Sequence, residues 1–316
     1  MRNHKPLVSV MMNCFNGDAY LKQAIDSVYA QSYDNWEIVF WDNASTDNSG
    51  SIAKSYDSRL RYCKSDETTP LGDARNKALD ECKGDYVAIL DCDDVWLPTK
   101  LEKQIQLVKD APEVAVVYSK CLPIDVHGSS LGTDRRKFSR GMIFEDMLRK
   151  HFTPPSPTVV IKRELIYAVG AFSEYRASLD FDLLLKLAFR YPFEFVDEIL
   201  ALYRVHGQAA SFDYEGLYLE CCHALKTWRK HPECQTPERV KLVNGATARM
   251  YYIMGVHNLL QDKDAKKARE NLAYAQRLAP SPKALVFLVL SFINPVWTRR
   301  IMSWIRKNLG RGIVPR

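Results

Sequence analysis

The sequence predicts an α/β protein: a mainly parallel sheet flanked by helices, followed by an all-helical C-terminal appendage. Three observations predict it. Short apolar runs alternate with helix-periodic stretches over the first 120 residues, the pattern of a parallel sheet covered on both faces. Polar clusters close three of those runs, at Asn13–Asn16, Asp42–Asp47 and Asp91–Asp94. Ligands of such sheets meet the carboxyl ends of the strands, so three clusters at one edge mark a site. Beyond about Asp213 only helical periodicity remains.

The first strand, Leu7–Met12, ends in NCFNGD. A helix follows, with Asp18 able to cap it and Leu21, Ile25 and Val28 repeating at i, i+4 and i+7. Trp36–Trp41 is the second strand, a helix lies around Ser51–Tyr56, and Leu60–Lys64 is a short third strand. Gly72–Gly84 is helical, with a glycine at its far end. The fourth strand, YVAILD, runs from Tyr86 to Asp91. The next helix has Pro98 near its start and Leu101, Ile105 and Val108 on one face. Val114–Ser119 is a fifth strand and His127–Gly141 a basic loop, either solvated or able to close as a lid. PPSPTVVIKREL opens a second half-sheet, Ser178–Arg190 turns helical after its first residues, and Phe193–His206 alternates as one or two strands. Residues 1–212 thus read as one domain divided near 120, and 213–316 as a helical region in which Ala265, Ala268, Leu272 and Ala275 mark one face closed by Pro280.

With 316 residues, 47% hydrophobic and 26% charged, the chain has material for one large core or two smaller ones and is not a disordered polymer. Its eight cysteines form no C-x-x-C pair, which argues against zinc; they read as reduced small hydrophobes of a cytoplasmic protein. No signal peptide is expected from MRNHKPLVSV, and the longest apolar run, Ala284–Ile293, is too short for the ~20 residues of a membrane span. The net charge of +6 is concentrated at the end: residues 294–316 hold six basic residues and no acid. There Val296, Trp297, Ile301, Trp304 and Ile305 can share a helix side flanked by Arg299, Arg300, Arg306 and Lys307. That suits an interfacial helix on anionic lipid, at the inner face of a cell membrane, or a helix docked on protein. Nucleic acid is not an expected partner, since the tail has no recognised reading motif.

The acids after the fourth strand need a physical reason. Asp91, Asp93 and Asp94 crowd like charge unless water or a cation relieves it. Carboxylates on a tight turn suit Mn2+ or Mg2+, which take one or two of them plus substrate phosphates. An ion there would draw charge from a departing diphosphate. The alternative is a helix cap with solvated acids. Similarly, WDNASTDNS is either an Asx-rich turn or presents Asp42 and Asn43 to a nucleobase edge. NCFN is either a turn or places Phe15 to stack on a base with Asn13 bonded to it. Arg75 is either a surface cation or a site residue.

The ordered set NCFNGDAYLKQAIDSVYAQSYDNWEIVFWDNASTDNS and GDARNKALDECKGDYVAILDCDDVWLPTKLEKQ resembles a family 2 glycosyltransferase of the GT-A type, over roughly Pro6 to His206. The resemblance implies a Rossmann-like GT-A sheet, a donor half at about 1–120, an acceptor half at about 121–212, a nucleotide-sugar donor (a UDP-sugar first) and transfer with inversion to a glycan or lipid-linked glycan. It implies that Asn13, Phe15 and Asn43 line the nucleobase, Arg75 lies near the nucleotide, and Asp91 faces the ribose or sugar. Asp93 becomes the principal metal ligand, with Asp91, His206 and, secondarily, Asp94 around it. In VGAFSEYRASLDFDLLLKLAFR, Asp180 matches the general base and Asp182 is the alternative; otherwise Asp180 only caps the following helix. Trp96 either packs against the sugar or belongs to the core. Two departures stand out: Asn43 where many relatives have a second Asp, and Leu179 where a Glu is usual. They leave open a catalytically weakened nucleotide-sugar-binding or scaffold protein of the same fold. A phosphotransferase is less well supported, because no P-loop is present.

Overall fold

The computed structural model describes residues 5–133, 138–150, 152–207, 214–261 and 264–292. The chain divides into two compact units, one of residues 1–147 with 152–212, the other of 148–151 with 213–316.

In the first unit the apolar runs become strands β1 (Val8–Cys14), β2 (Trp36–Asp42), β3 (Leu60–Lys64), β4 (Tyr86–Ile89), β5 (Val95–Trp96), β6 (Val116–Ile124), β7 (Val160–Lys162) and β8 (Phe193–Arg204). The helices are α1 (Asp18–Tyr29), α2 (Ser49–Lys54), α3 (Leu71–Glu81), α4 (Lys100–Asp110), α5 (Phe144–Lys150), α6 (Arg163–Ala168) and α7 (Leu179–Arg190). The strands form one sheet in the order β3-β2-β1-β4-β7-β6-β8-β5. β1 lies inside it, covered on both faces, so its sequence is an unbroken apolar run rather than an alternation. α1 buries Leu21, Ala24, Ile25 and Val28, and α4 buries Leu101, Ile105 and Val108, in the core that backs β1 and β2.

β3, β2, β1 and β4 are mutually parallel, as strand-helix alternation predicts. The remainder is mixed. β7 runs antiparallel to β4 and to β6, β5 runs antiparallel to β8, and β6 and β8 are parallel. β5 is a two-residue strand where the sequence suggested a turn leading directly into a helix. Phe193–Arg204 is one strand, whose register against β6 shifts around Ser119 and Lys120.

β1 and β2 end in register, Cys14 beside Asp42, so the turns that follow them lie together. Asn16, at φ 53°, accepts from Thr46 N at 2.8 Å, while its own N donates to Ser45 Oγ at 3.0 Å. Asp18 does not cap α1. Its carboxylate instead accepts from the backbone and side chain of Asn48, at 3.3 and 3.2 Å, and its N donates to Asp47 Oδ2 at 3.0 Å. Acids of the two turns brace each other's backbone, and the sheet's carboxyl edge becomes a fixed surface.

The second unit holds α8 (Tyr214–Lys230), α9 (Pro237–Leu260), α10 (Ala265–Leu278) and α11 (Pro282–Leu290). Val256, Leu259, Ala268, Leu272, Phe287 and Leu290 form a core. Ala268, Leu272 and Ala275 are buried as the periodicity predicts. Residues 294–316, the basic amphipathic segment, lie outside the described residues, as do 134–137 of the 127–141 loop.

α6 ends with Gly170 at φ 89° and Ala171 at φ 55°. Ala171 N bonds back to Ile166 O at 2.9 Å, closing the helix in a Schellman-like turn. The left-handed region costs a residue with a Cβ about 1–2 kcal/mol, whereas unfolded glycine has extra freedom worth about 0.5–1 kcal/mol. Ala171→Gly is therefore expected to stabilise the chain by up to about 1 kcal/mol. The urea midpoint should rise; a fall would show that the alanine methyl contributes packing that outweighs its strain.

Candidate active site

Four strand ends and one helix start supply the site. β1 contributes Asn13 and Phe15, β2 Asp42 and Asn43, β4 the acids 91–94, β8 Arg204 and His206, and α7 opens with Asp180 in its first turn. α3 stands across the edge and presents Arg75.

Arg75 is the hub. Its side chain is buried, at 2% exposure, yet carries a full charge between two carboxylates. Nη2 donates to Asp91 Oδ1 at 3.0 Å, and Nη1 donates to Asp180 Oδ1. The Phe172 ring lies 5.6 Å from the guanidinium carbon. The neighbouring carboxylates overcome burial and raise Arg75 further above the usual arginine value. Burial pushes Asp91 up to about 6; Arg75 opposes this, while Asp180 and Asp93 reinforce it. Asp91 nonetheless keeps about a third of its side chain open, at 35%.

Asp93 and His206 form the second pair, Oδ2 to Nε2 at 2.7 Å, both partly open to solvent. The His206 ring also lies 5.4 Å from that of Tyr20. No cluster of three or more His, Cys, Asp or Glu residues able to hold a metal occurs among the described residues. The Asp93–His206 donor set nevertheless fits Mn2+ or Mg2+, which take only one or two protein groups and complete their shell with phosphate oxygens and water. Asp94 faces inward: it is buried, and Oδ1 accepts from Arg204 N at 2.9 Å. Burial, with Asp93 and Asp91 adding to it, pushes its carboxyl well above the usual range. Its geometry is that of a brace for the turn.

The other sequence candidates are placed as follows. Phe15 is 54% exposed beside the edge. Both polar atoms of the Asn13 side chain are enclosed without a hydrogen-bond partner. Asn43 is buried and engaged: Nδ2 donates to Thr69 O at 2.8 Å, and Oδ1 accepts from Thr69 N and Oγ1 at 3.1 and 3.0 Å. Here it shapes the loop before α3. Asp42 is likewise committed, to Tyr62 OH at 2.6 Å and Ser45 N at 2.7 Å. Trp96 belongs to the core, donating Nε1–H to Pro157 O at 2.7 Å with Lys100 Nζ 4.0 Å over its ring. Asp182 is buried and paired with Lys186 at 2.7 Å, which leaves Asp180 as the acid of α7 that shares Arg75 with Asp91.

Three residues were missed by sequence reasoning. Arg204 is buried; Nε donates to Asp93 O at 2.9 Å, Nη1 to Asp125 O at 3.1 Å and Nη2 to Gln23 Oε1 at 2.7 Å, with Tyr20 4.4 Å beneath. Its signal was an arginine two residues before His206, on the same side of an extended segment. Asn76, beside Arg75, clamps Phe172: Nδ2 donates to Phe172 O at 2.9 Å and Phe172 N donates to Oδ1 at 3.0 Å. Gly72 lets the same segment approach, since a Cβ there would strike the Ser173 carbonyl. G-x-x-R-N is thus one docking surface on α3 for the stretch that leads to Asp180.

Residues 9–172 match the model of glycosyl transferase family 2. The chain belongs to that family. An uncharacterized glycosyltransferase of Methanocaldococcus jannaschii, MJ1057, is 30% identical over 208 residues, 64% of this chain and 71% of that one. Against several other curated relatives the matched stretch spans less than half of their length. The fold is also that of S. aureus TarS 1-349, solved in complex with UDP-GlcNAc, with a TM-score of 0.69 at 14% identity over 96% of this chain and 93% of that one. The mannosyltransferase PcManGT from Pyrobaculum calidifontis, in complex with GDP-Man and Mn2+, superposes with a TM-score of 0.62 at 20% identity, over 96% of this chain and 87% of that one. The family 2 and GT-A expectations therefore hold.

Arg204 reads on stability as well as on the site. Arg204→Lys keeps the charge but loses the planar fork that reaches Asp93 O, Asp125 O and Gln23 together. It should cost about 2–3 kcal/mol, measured by urea unfolding. A loss near zero would mean that water replaces those bonds and that the acid turn needs no such support.

Proposed function

We propose that this chain transfers a sugar from a nucleoside-diphosphate donor, a UDP-sugar in the first instance, to a hydroxyl of a glycan or lipid-linked glycan, in one displacement that inverts the anomeric centre. The observation that carries this reading is Arg75, one buried cation touching Asp91 of the donor side and Asp180 of the acceptor side. Such a bridge brings a donor-binding carboxylate and a candidate base to opposite flanks of one space.

Asp180 is the general base. One oxygen rests on Arg75, and a carboxylate has a second that can take the proton of an acceptor hydroxyl as the new bond forms. Leu179 is buried, so the position where relatives carry a glutamate contributes packing here, and Arg75 is the charged neighbour of the base. On the donor side, Phe15 offers an exposed ring to a nucleobase, and the enclosed amide of Asn13 has its hydrogen bonds still to make. Asp91 faces the ribose or sugar. Asp93 with His206, and Asp91 beside them, would hold Mn2+ or Mg2+; when bound, that ion supplies positive charge to the leaving diphosphate. The ligands of the two solved neighbours, UDP-GlcNAc and GDP-Man with Mn2+, support a nucleotide-sugar donor and a divalent ion.

The second unit supports a lipid-linked acceptor at a membrane surface. No described helix is long and apolar enough to cross a membrane. α11 instead exposes Leu285, Val286 and Val289, followed by Phe292 at 72% exposure, directly before the six basic residues of 294–316. Apolar side chains next to clustered Lys and Arg suit adsorption to an anionic lipid surface, here the inner face of a cell membrane.

Two measurements test the chemistry. In a thermal-shift panel of UDP-, dTDP- and GDP-sugars with and without Mn2+, one nucleotide class should stabilise the chain, more so with the ion. Asp93→Ala should abolish transfer. Asp180→Asn should keep nucleotide binding and lose about 100-fold or more in turnover; near-native turnover would remove Asp180 as the base. For the surface, the full chain should sediment with phosphatidylglycerol vesicles, less so at high salt, and the Val289→Asp, Phe292→Asp double variant should stay in the supernatant. Equal sedimentation with neutral vesicles would defeat the electrostatic part of that reading.

A further inference from the structure

Two thiols meet at the floor of the candidate site. β1 and β4 run parallel in a register that sets Met11 beside Ile89. Carried three residues on, the same offset sets Cys14, the last residue of β1, beside Cys92, which stands between Asp91 and Asp93. Leu90 N still donates to Met11 O at 3.1 Å, and in the turn beyond β4 the Cys92 thiol donates to Asn13 O at 3.2 Å. Both side chains enter one small space under the turn at Gly17. A Cβ on Gly17 would lie 3.0 Å from Cys14 Sγ, 3.2 Å from Cys92 Cβ and 3.8 Å from Cys92 Sγ. The thiols are within hydrogen-bonding reach of each other.

Facing residues of neighbouring strands lie about 4.8 Å apart, inside the range of about 4.4–6.8 Å that a disulfide spans between Cα atoms. Both cysteines are free, Cys14 buried and Cys92 partly open. Nothing in the transfer chemistry uses either sulfur. Yet each is flanked by candidate donor-binding residues: Asn13 and Phe15 around Cys14, Asp91 and Asp93 around Cys92.

We propose that Cys14 and Cys92 are a redox modification site, closing to a reversible disulfide under hydrogen peroxide and thereby shutting the donor site. One of the two sulfurs attacks a peroxide oxygen; the O–O bond breaks, an S–O bond forms, and water leaves with the thiol proton. The other sulfur then attacks the sulfenic sulfur, the S–S bond forms, the S–O bond breaks, and a second water carries off the oxygen with that thiol's proton. Two thiols lose two electrons and two protons, and one peroxide becomes two waters. A dithiol reverses the change. The new bond removes the Cys92 proton that now rests on Asn13 O and draws the β1 end and the Asp91–Asp93 turn together. Asn13 and both aspartates then leave the positions that a nucleotide needs.

The gating part rests on the donor reading above; the bond itself does not. The full chain is treated with peroxide, its thiols are blocked, and its peptides are read by mass spectrometry. A Cys14–Cys92 linked peptide should form and vanish after dithiothreitol. In parallel, UDP binding with Mn2+ is followed by calorimetry, and should fall about tenfold or more on oxidation and return on reduction. Cys14→Ala and Cys92→Ala should each keep their own UDP affinity through peroxide. The wild-type cycle decides the matter even if one variant fails to fold. Absence of the linked peptide overturns the proposal. A linked peptide with unchanged UDP affinity overturns the gating, as does an equal loss of affinity in both alanine variants. A reduced wild-type chain that binds no nucleotide overturns the donor reading and the gating with it, while the linked peptide still settles the bond.

Discussion

A guanidinium buried with two carboxylates is the constraint around which this protein is arranged. Taking Arg75 out of water is costly unless its hydrogen bonds and charge are met. Asp91 meets one side and Asp180 the other, and these residues come from parts of the chain nearly ninety positions apart. The pairing therefore holds only if α3, the end of β4 and the start of α7 keep fixed positions relative to each other. Gly72 and Asn76 supply that fixity, one by allowing the 170–174 segment to touch α3 and the other by bonding both polar groups of Phe172. Phe172 then covers the guanidinium. A helix that looks in sequence like an ordinary surface element is in fact the joint between the two halves of the site.

The balance of charge at this edge argues for an exogenous cation. Asp91, Asp93, Asp94 and Asp180 lie close together, and the buried cations among them are Arg75 and Arg204. Burial and mutual repulsion push Asp91 up to about 6 and Asp94 well above the carboxylate range, so those two carboxyls resist ionisation as they stand. A nucleoside diphosphate brings further negative charge. Without a compensating ion it would meet repulsion from Asp91 and Asp93; with one, the same carboxylates become an asset. The fit of Asp93 and His206 to a hard divalent ion and the electrostatics of the cluster thus point the same way.

Much of the strand-end edge of the candidate site was legible because its signals are local. A strand that ends in a run of Asn and Asp is visible in a dozen residues, and three such ends on parallel neighbouring strands must lie together. The periodicity that assigned Leu101, Ile105 and Val108 to one buried face is equally local. What could not be read depends on partners far along the chain. β7 is three residues long and β5 two, too short for any period to declare strand or direction. Asn43 was read from its turn as either a nucleobase contact or part of an Asx turn, and its bonds to Thr69 are visible only in the fold. Asp18 was a sound helix cap by its position, but the neighbouring turn competes for its carboxylate. Arg204 and Asn76 carry no motif of their own, and their roles exist only once β8 and the 170–174 segment have been brought to the carboxyl edge of β1, β2 and β4.

That last point bears on how the two halves cooperate. β5, the short strand just after the acid turn, pairs with β8, and β8 ends in Arg204 with His206 two residues further on the same side. Arg204 holds the backbone at Asp93 and the carboxylate of Asp94, while His206 meets the carboxylate of Asp93. The acid turn encoded at 91–94 is therefore finished by residues encoded more than a hundred positions later. Asp180, from the same later half, finishes the environment of Arg75. Residues 1–120 contain every motif that resembles a nucleotide-binding half, yet alone they would leave Arg75 with one carboxylate and Asp94 with none of its backbone donors. The acid turn and the two-carboxylate environment of Arg75 are completed together because the same crossing strand and the same later half of the chain build both.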